Sequence, residues 1–213
     1  MIDATDFTIP GTGVLRNKLG ITDSAALLKA TTDSTVLRLA ELHASPIRGA
    51  FDSAHLQAIH HHLYQDLYDW AGELRSIDAN NVSASQVEKS LNNVLDRLAR
   101  ENHLKGLSTE EWARSASTYL YDLGTIQPFL AGNNITLQEF AVELARKNNL
   151  TLQWDATPSI ASDSMAPLSQ AKQSANLRRL IMLAMDTDPI AQHSIRSHVL
   201  EQGIERFLPS RMG

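Results

Sequence analysis

The stretch TIQPFLAGNNITLQEF, Thr125 to Phe140, holds the residue types best suited to receiving an anion. Gly132, Asn133 and Asn134 stand where a loop would enter a helix, and the unpaired backbone N–H groups of a helix start attract phosphate. A plainer reading competes: Asn133 or Asn134 caps the helix, while Leu137, Ala141 and Leu144 pack inside. The plainer reading is favoured, because the stretch contains no Lys or Arg to hold a triphosphate. Three adjacent histidines, His60 to His62, suggest a metal. Successive helical residues point about 100° apart, so three in a row do not ligate one ion. His60 belongs near the core face and His61 and His62 outside it; no metal site is expected. Glu110 and Glu111 read as first-turn helix charges rather than as an acid/base pair. The chain has no cysteine, which removes disulfides, thiolate metal sites and a cysteine nucleophile.

The elements that would position these residues are helical. A helix is expected from Asp33, its N-cap, with Val36, Leu37, Leu39, Ala40 and Leu42 at helical spacing. Another runs through DSAHLQAIHHHLYQDLYDW with Leu56, Ile59, Leu63 and Leu67 on one face. SASQVEKSLNNVLDRLARENH supplies Val87, Leu91, Val94, Leu95 and Leu98. Ser108 and Glu111 have the spacing of a capping box and open a further helix. Thr136 to Asn148, Ala171 to Met185 and a last segment stopping near Gly203 complete the set. Only ELRSIDANNVS has strand character, with an Asn-Asn pair suited to a hairpin turn. Trp154 to Pro167 is loop-like. The expected fold class is all-α with one small β-hairpin.

Composition narrows the function. Of 213 residues, 43% are hydrophobic and 20% charged, enough for a packed core. The net charge of -5 disfavours nucleic acid as a partner, and no Lys/Arg run offsets it. The N-terminus MIDATDFTIP does not have the pattern of a cleaved signal peptide, and LIMLAM is too short to span a bilayer. The expectation is a protein without membrane segments.

LYQDLYDWAGELRSID resembles the front half of Fic (Fido-fold) proteins, where a helix ends in a "YpWAGexR" turn and leads to a β-hairpin flap. GTGVLRNKLGITD is similar to their N-terminal segment, and ELARKNNLTLQWD to the segment after their motif. LYDLGTIQPFLAGNNITLQEF stands where these proteins carry H-P-F-x-[D/E]-G-N-G-R-x-x-R. The resemblance covers Pro10 to Met185 and implies a Fic domain over 1–188, with 189–213 as a C-terminal helix packed on it. Family members typically transfer AMP from ATP to a hydroxyl of a target protein.

Carried over residue by residue, the motif implies lost chemistry. The general base falls on Gln127, whose amide does not accept a proton near neutral pH. The Mg²⁺-holding acid falls on Ala131. The second Gly is Asn134, and the two phosphate-directed Arg positions are Ile135 and Gln138. Pro128, Phe129, Gly132 and Asn133 keep the pattern. The resemblance thus implies a degenerate Fic domain that binds a protein partner: an active Fic protein, a Fic target or a host protein. No cofactor is expected, and ATP with Mg²⁺ would return only if other residues rebuild the cleft; Arg75, Lys89 and Arg114 are the cations to place. The alternative is a transferase of nucleotidyl or other phosphate-containing groups with altered chemistry. The flap, which grips target segments by strand addition in the family, presents Ile77, Asp78 and Val82. SHVLEQ, with Ser197 and Glu201, is similar to the family's self-inhibitory helix pattern; a helix that packs Ile195, Val199 and Ile204 on the domain is favoured over a relic of that pattern. The resemblance places the protein in a bacterial cytoplasm, or among effectors secreted without a cleaved signal. Nothing in the residues fixes an oligomeric state.

Overall fold

The computed structural model describes residues 4–79 and 82–153. The expected Asn-Asn turn, the loop Trp154 to Pro167, both later helices, Ser197 and Glu201 lie outside the described residues.

Among the described residues, five α-helices build the domain: α1 (Ser24–Ala44), α2 (Ser53–Tyr64), α3 (Ala84–Arg100), α4 (Thr109–Ile126) and α5 (Asn133–Lys147). α2 packs against α1 and α5, and α4 packs against α3 and α5. Their apolar faces meet in one core that includes Leu56, Ile59, Leu63, Leu91, Leu98, Trp112, Leu123 and Phe140. These positions recur every three or four residues, the spacing that puts them on one side of each helix.

Local chemistry sets the helix starts. Asp52 caps α2 by accepting the His55 N–H at 2.9 Å. At α4 the Ser108 side chain accepts the Glu111 N–H, while the Glu111 carboxylate takes the Ser108 N–H at 3.0 Å. This is the capping box expected from the sequence.

α1 corrects the expectation. It starts at Ser24, capped by Asp23, whose carboxylate accepts the Ala26 N–H at 2.8 Å. Asp33 is not a cap but an interior residue, paired with Lys29 one turn earlier. Val36 and Leu37 are exposed, while Leu27, Thr31, Thr35 and Leu42 face the core. Of the apolar positions expected after Asp33, Leu42 is buried and Leu39 packs against the core, while Val36, Leu37 and Ala40 face solvent. α2 is also shorter than expected. It ends at Tyr64, and Leu67 reaches the core from the turn that follows.

No strand forms among the described residues. The hairpin reduces to one antiparallel bridge, Ala79 to Val82. A second bridge, Thr8 to Leu15, joins the two sides of a turn through Gly11 and Gly13, a segment with no strand pattern in its residues. From there Asn17 organises the approach to α1. Its amide donates to the Leu15 and Ile21 carbonyls and accepts the Ile21 N–H. Lys18 ties this segment to the end of α2, through its N–H to the Leu67 carbonyl and its ammonium to the Gln65 carbonyl, both at 2.8 Å.

Candidate functional site

The loop from Gln127 to Gly132 joins α4 to α5 and is fixed by four residues. Gln127 ends α4 in the left-handed region (φ 45°), and its N–H donates to the Leu123 carbonyl at 3.2 Å. Pro128 and Phe129 are buried behind it. Asn133 then clamps Phe129 on both sides: its Oδ1 accepts the Phe129 N–H at 3.0 Å and its Nδ2 donates to the Phe129 carbonyl at 2.9 Å. The residue that caps α5 is Gly132, with no side-chain cap bond. Asn133 therefore closes the loop on itself, and neither asparagine caps the helix as expected. Leu137, Ala141 and Leu144 are buried, as the sequence indicated.

Gly132 is required twice over. Its φ is 77°, in the region that glycine tolerates best. A Cβ there would stand 2.4 Å from the Tyr64 ring. The close approach lets the Gly132 carbonyl accept from the Thr136 hydroxyl at 2.9 Å and from the Tyr64 hydroxyl at 3.4 Å.

His60 is the third fixing residue, and the histidine run resolves around it. The ring is buried and stacks on Phe129 with centroids 3.9 Å apart. Its Nδ1 accepts the Gly72 N–H at 2.8 Å, so its Nε2 carries the proton and donates to the Ala131 carbonyl at 3.0 Å. One neutral imidazole thus joins the Trp70-Ala71-Gly72 turn to the motif loop. Burial pushes its pKa down to about 4, against a weaker upward pull from the Ala131 carbonyl. His61 is exposed and His62 half-buried. Among the described residues, no three His, Asp or Glu gather in a metal-binding group.

Arg75 is the fourth. It is buried, and its guanidinium donates to five backbone carbonyls. Two belong to the end of α4 and the loop, Ile126 at 3.1 Å and Gln127 at 2.8 Å. Three belong to the flap: Ile77, Ala79 at 3.3 Å and Val82 at 3.0 Å. Its own N–H donates to the Pro128 carbonyl at 2.9 Å. Burial lowers its pKa from the usual arginine value, with Asp78 opposing.

The expected residues sort accordingly. Gln127, Ala131, Asn134, Ile135 and Gln138 fall on or beside the loop, with Ile135 buried and the others half-buried. Ile77 and Val82 are half-buried on the flap. Asp78 is exposed, and one oxygen of its carboxylate accepts the Ala84 N–H at the start of α3 at 2.8 Å. Of the three cations, Arg75 reaches the loop but spends its donors on carbonyls. Lys89 is exposed on α3, and Arg114 is exposed on α4 beside Glu110 at 3.6 Å.

Sequence reasoning missed two buried glutamates one turn apart on α5. Glu139 meets His43 at 2.8 Å, and Glu143 meets His55 at 2.9 Å. Burial raises the Glu139 pKa, with His43 opposing. Their signal was present: Glu139 and Glu143 alternate with Leu137, Phe140, Ala141 and Leu144, on the face that packs inward.

Residues 50–145 match the model of the Fic/DOC family. The chain is 38% identical over 154 residues to the protein adenylyltransferase VbhT of Bartonella schoenbuchensis, covering 70% of this chain and 32% of VbhT. It is 33% identical over 154 residues to the probable protein adenylyltransferase Fic of Salmonella typhimurium, covering 70% of this chain and 76% of that protein. The fold is similar to that of BepC, a VirB-translocated effector of Bartonella tribocorum solved with bound AMPPNP. The TM-score is 0.71 at 23% identity, over 83% of this chain and 96% of the other. The chain belongs to the Fic/DOC family. It spans about a third of the length of VbhT.

Proposed function

We propose that this chain is a Fic domain without conventional AMP transfer, working as a binding protein for another protein. One observation carries the reading. The loop backbone is held by Asn133, His60, Arg75 and Gly132, while the positions that would act on a nucleotide are Gln127, Ala131, Asn134, Ile135 and Gln138. An amide stands where a base is needed. A methyl stands where a carboxylate would meet Mg²⁺, and an aliphatic chain where a cation would meet phosphate. The residues present do not fit a Mg²⁺–nucleotide. Charge-assisted bonds to phosphate oxygens are about twice as strong as neutral ones, and this loop supplies none from its Arg positions. A lost stabilising donor alone costs about 10²–10³ in rate.

The alternative, a transferase with rebuilt chemistry, needs a new cation or base at Gln127. The Arg75 guanidinium, which approaches nearest, is engaged by five carbonyls, and this weighs against it. The effector character of BepC and the adenylyltransferase names of the sequence relatives support a protein as the partner, presented to the flap around Ile77 and Val82.

The test is calorimetric titration with ATP, with and without Mg²⁺, alongside the variant Gln127→His/Ala131→Asp/Asn134→Gly/Ile135→Arg/Gln138→Arg. The natural chain should give no heat at millimolar nucleotide, and the variant should bind. Micromolar Mg²⁺-dependent binding by the natural chain, or label transfer from radioactive ATP, would overturn the reading. A companion capture experiment compares the natural flap with one scrambled at Ile77 and Val82; a partner that both retain equally would overturn the flap as the docking element.

A further inference from the structure

Beside the loop lies a pocket of about 270 Å³, open on one side. The turn at Gly13, the first half of α1 and the end of α2 form three walls, and Ala131 to Ile135 form the fourth. No flap residue lines it, nor does Gln127 or Gln138. It is therefore a different place from the docking surface proposed above.

Its chemistry is distinctive. Among the described residues, no Asp, Glu, Lys, Arg or His lines it. Val14, Leu15, Leu27 and Ile135 give it aliphatic walls, and Leu28, 45% exposed, stands at its rim. Tyr64 and Tyr68 supply aromatic surface. The polar groups are neutral: the Asn134 amide and the hydroxyls of Ser24, Thr31 and the two tyrosines. Burial raises the Tyr68 phenol pKa, with the Thr31 hydroxyl bonding it, so it is uncharged near neutral pH.

Two physical constraints select the occupant. At about 270 Å³ the pocket falls just below the usual range of ligand sites, about 300 Å³ upward, so it holds at most a compound of one or two rings. A charged group entering it would leave water without meeting a counter-charge, which costs far more than burying a neutral amide that finds a hydrogen bond. Apolar walls with a few neutral polar groups are the usual make-up of a small-molecule site. We infer that the pocket between the Gly13 turn, α1 and the Ala131–Ile135 segment binds a small, uncharged aromatic or heteroaromatic compound carrying an amide or hydroxyl group. The inference rests on the reading that Ala131, Asn134 and Ile135 no longer serve a nucleotide; Mg²⁺-dependent ATP binding would sink that reading, whereas loss of amide binding alone would sink only the pocket's assignment. The pocket shares Ala131, Asn134 and Ile135 with the positions that would act on a nucleotide, and with no cation among its described walls a triphosphate is the ligand they reject most strongly.

Matched probes test this directly. Nicotinamide and benzamide are neutral; nicotinate and benzoate have nearly the same shape and carry a negative charge. Saturation-transfer NMR at millimolar probe should show the amides binding at least about tenfold tighter than the carboxylates, a preference of about 1.4 kcal/mol. Ala131→Leu, which fills the loop wall, should abolish the amide signal. Leu28→Arg changes an exposed rim residue, so folding is spared, and places a cation at the mouth. It should reduce or reverse the preference between amide and carboxylate. Absence of amide binding to the natural chain overturns the inference. So does equal binding of amide and carboxylate, or an amide signal that survives Ala131→Leu.

Discussion

Lowering the pH should weaken the fold through one residue, His60. In the folded chain its ring accepts the Gly72 N–H and donates to the Ala131 carbonyl, and its pKa falls from 6.5 to about 4. Protonation puts a hydrogen on Nδ1, where the Gly72 N–H already points, and leaves a charge buried against Phe129. The folded state therefore binds this proton less readily than the unfolded chain. The stability His60 contributes is complete above pH 6.5 and is lost as the pH falls toward 4. A shift of this size corresponds to about 3.4 kcal/mol in full, of which about 2.5 kcal/mol is lost between pH 7.5 and 4.5. Glu139 works in the opposite sense. Its raised pKa stabilises the fold below the ordinary carboxylate value and is lost as the pH rises. The clean measurement is thus a difference. Urea unfolding at several pH values would compare the natural chain with His60→Asn, which keeps a donor for Ala131 and does not titrate. The stability gap should narrow by about 2–3 kcal/mol on going from pH 7.5 to 4.5. A gap that stays constant, or a His60 ring that titrates near 6.5 by NMR, would refute the reasoning.

Three further outcomes follow from named contacts. Arg75→Met should cost more than about 3 kcal/mol in urea unfolding, because carbonyls of Ile126 and Gln127 lose a charged donor inside the fold. Arg75→Lys should recover only part of that, since a point charge does not span both the flap and the loop. Gly132→Ala should lower the melting temperature by more than the equivalent of about 1 kcal/mol, and Tyr64→Ala beside it should remove the clash but not the cost of the positive φ. Ser108→Ala should cost about 1 kcal/mol by thermal unfolding, since the Glu111 N–H loses its acceptor.

What the sequence made legible was whatever chemistry is local. The capping box at Ser108 and Glu111, the inward face of α3 and the loop-to-helix step at Gly132 each depend on residues within a turn of one another. α1 was misread because its outer surface carries Val36 and Leu37, so periodicity alone did not separate its two faces and Asp33 passed for a cap. The bridges made by His60 and Arg75 were invisible for a different reason. Each joins segments far apart in the chain, and although helical spacing put His60 on the core face, the carbonyls that receive a buried His or Arg are not readable from its neighbours in sequence. The motif resemblance pointed to the loop as the candidate site; it did not reveal that His60 and Arg75, outside the motif, fix its backbone.

Arg75 carries a consequence for how this protein came to be and for what can be made of it. All five of its acceptors are main-chain oxygens, so the clamp reads the course of the chain and is blind to which side chains stand at Ile77, Val82 or Gln127. His60 and Asn133 likewise grip the backbone of Ala131 and Phe129. Evolution can therefore rewrite the reactive positions without paying in architecture, and so can a protein engineer. The loop is a socket whose shape outlasts its contents, and a new chemistry would need only new side chains, not a new fold.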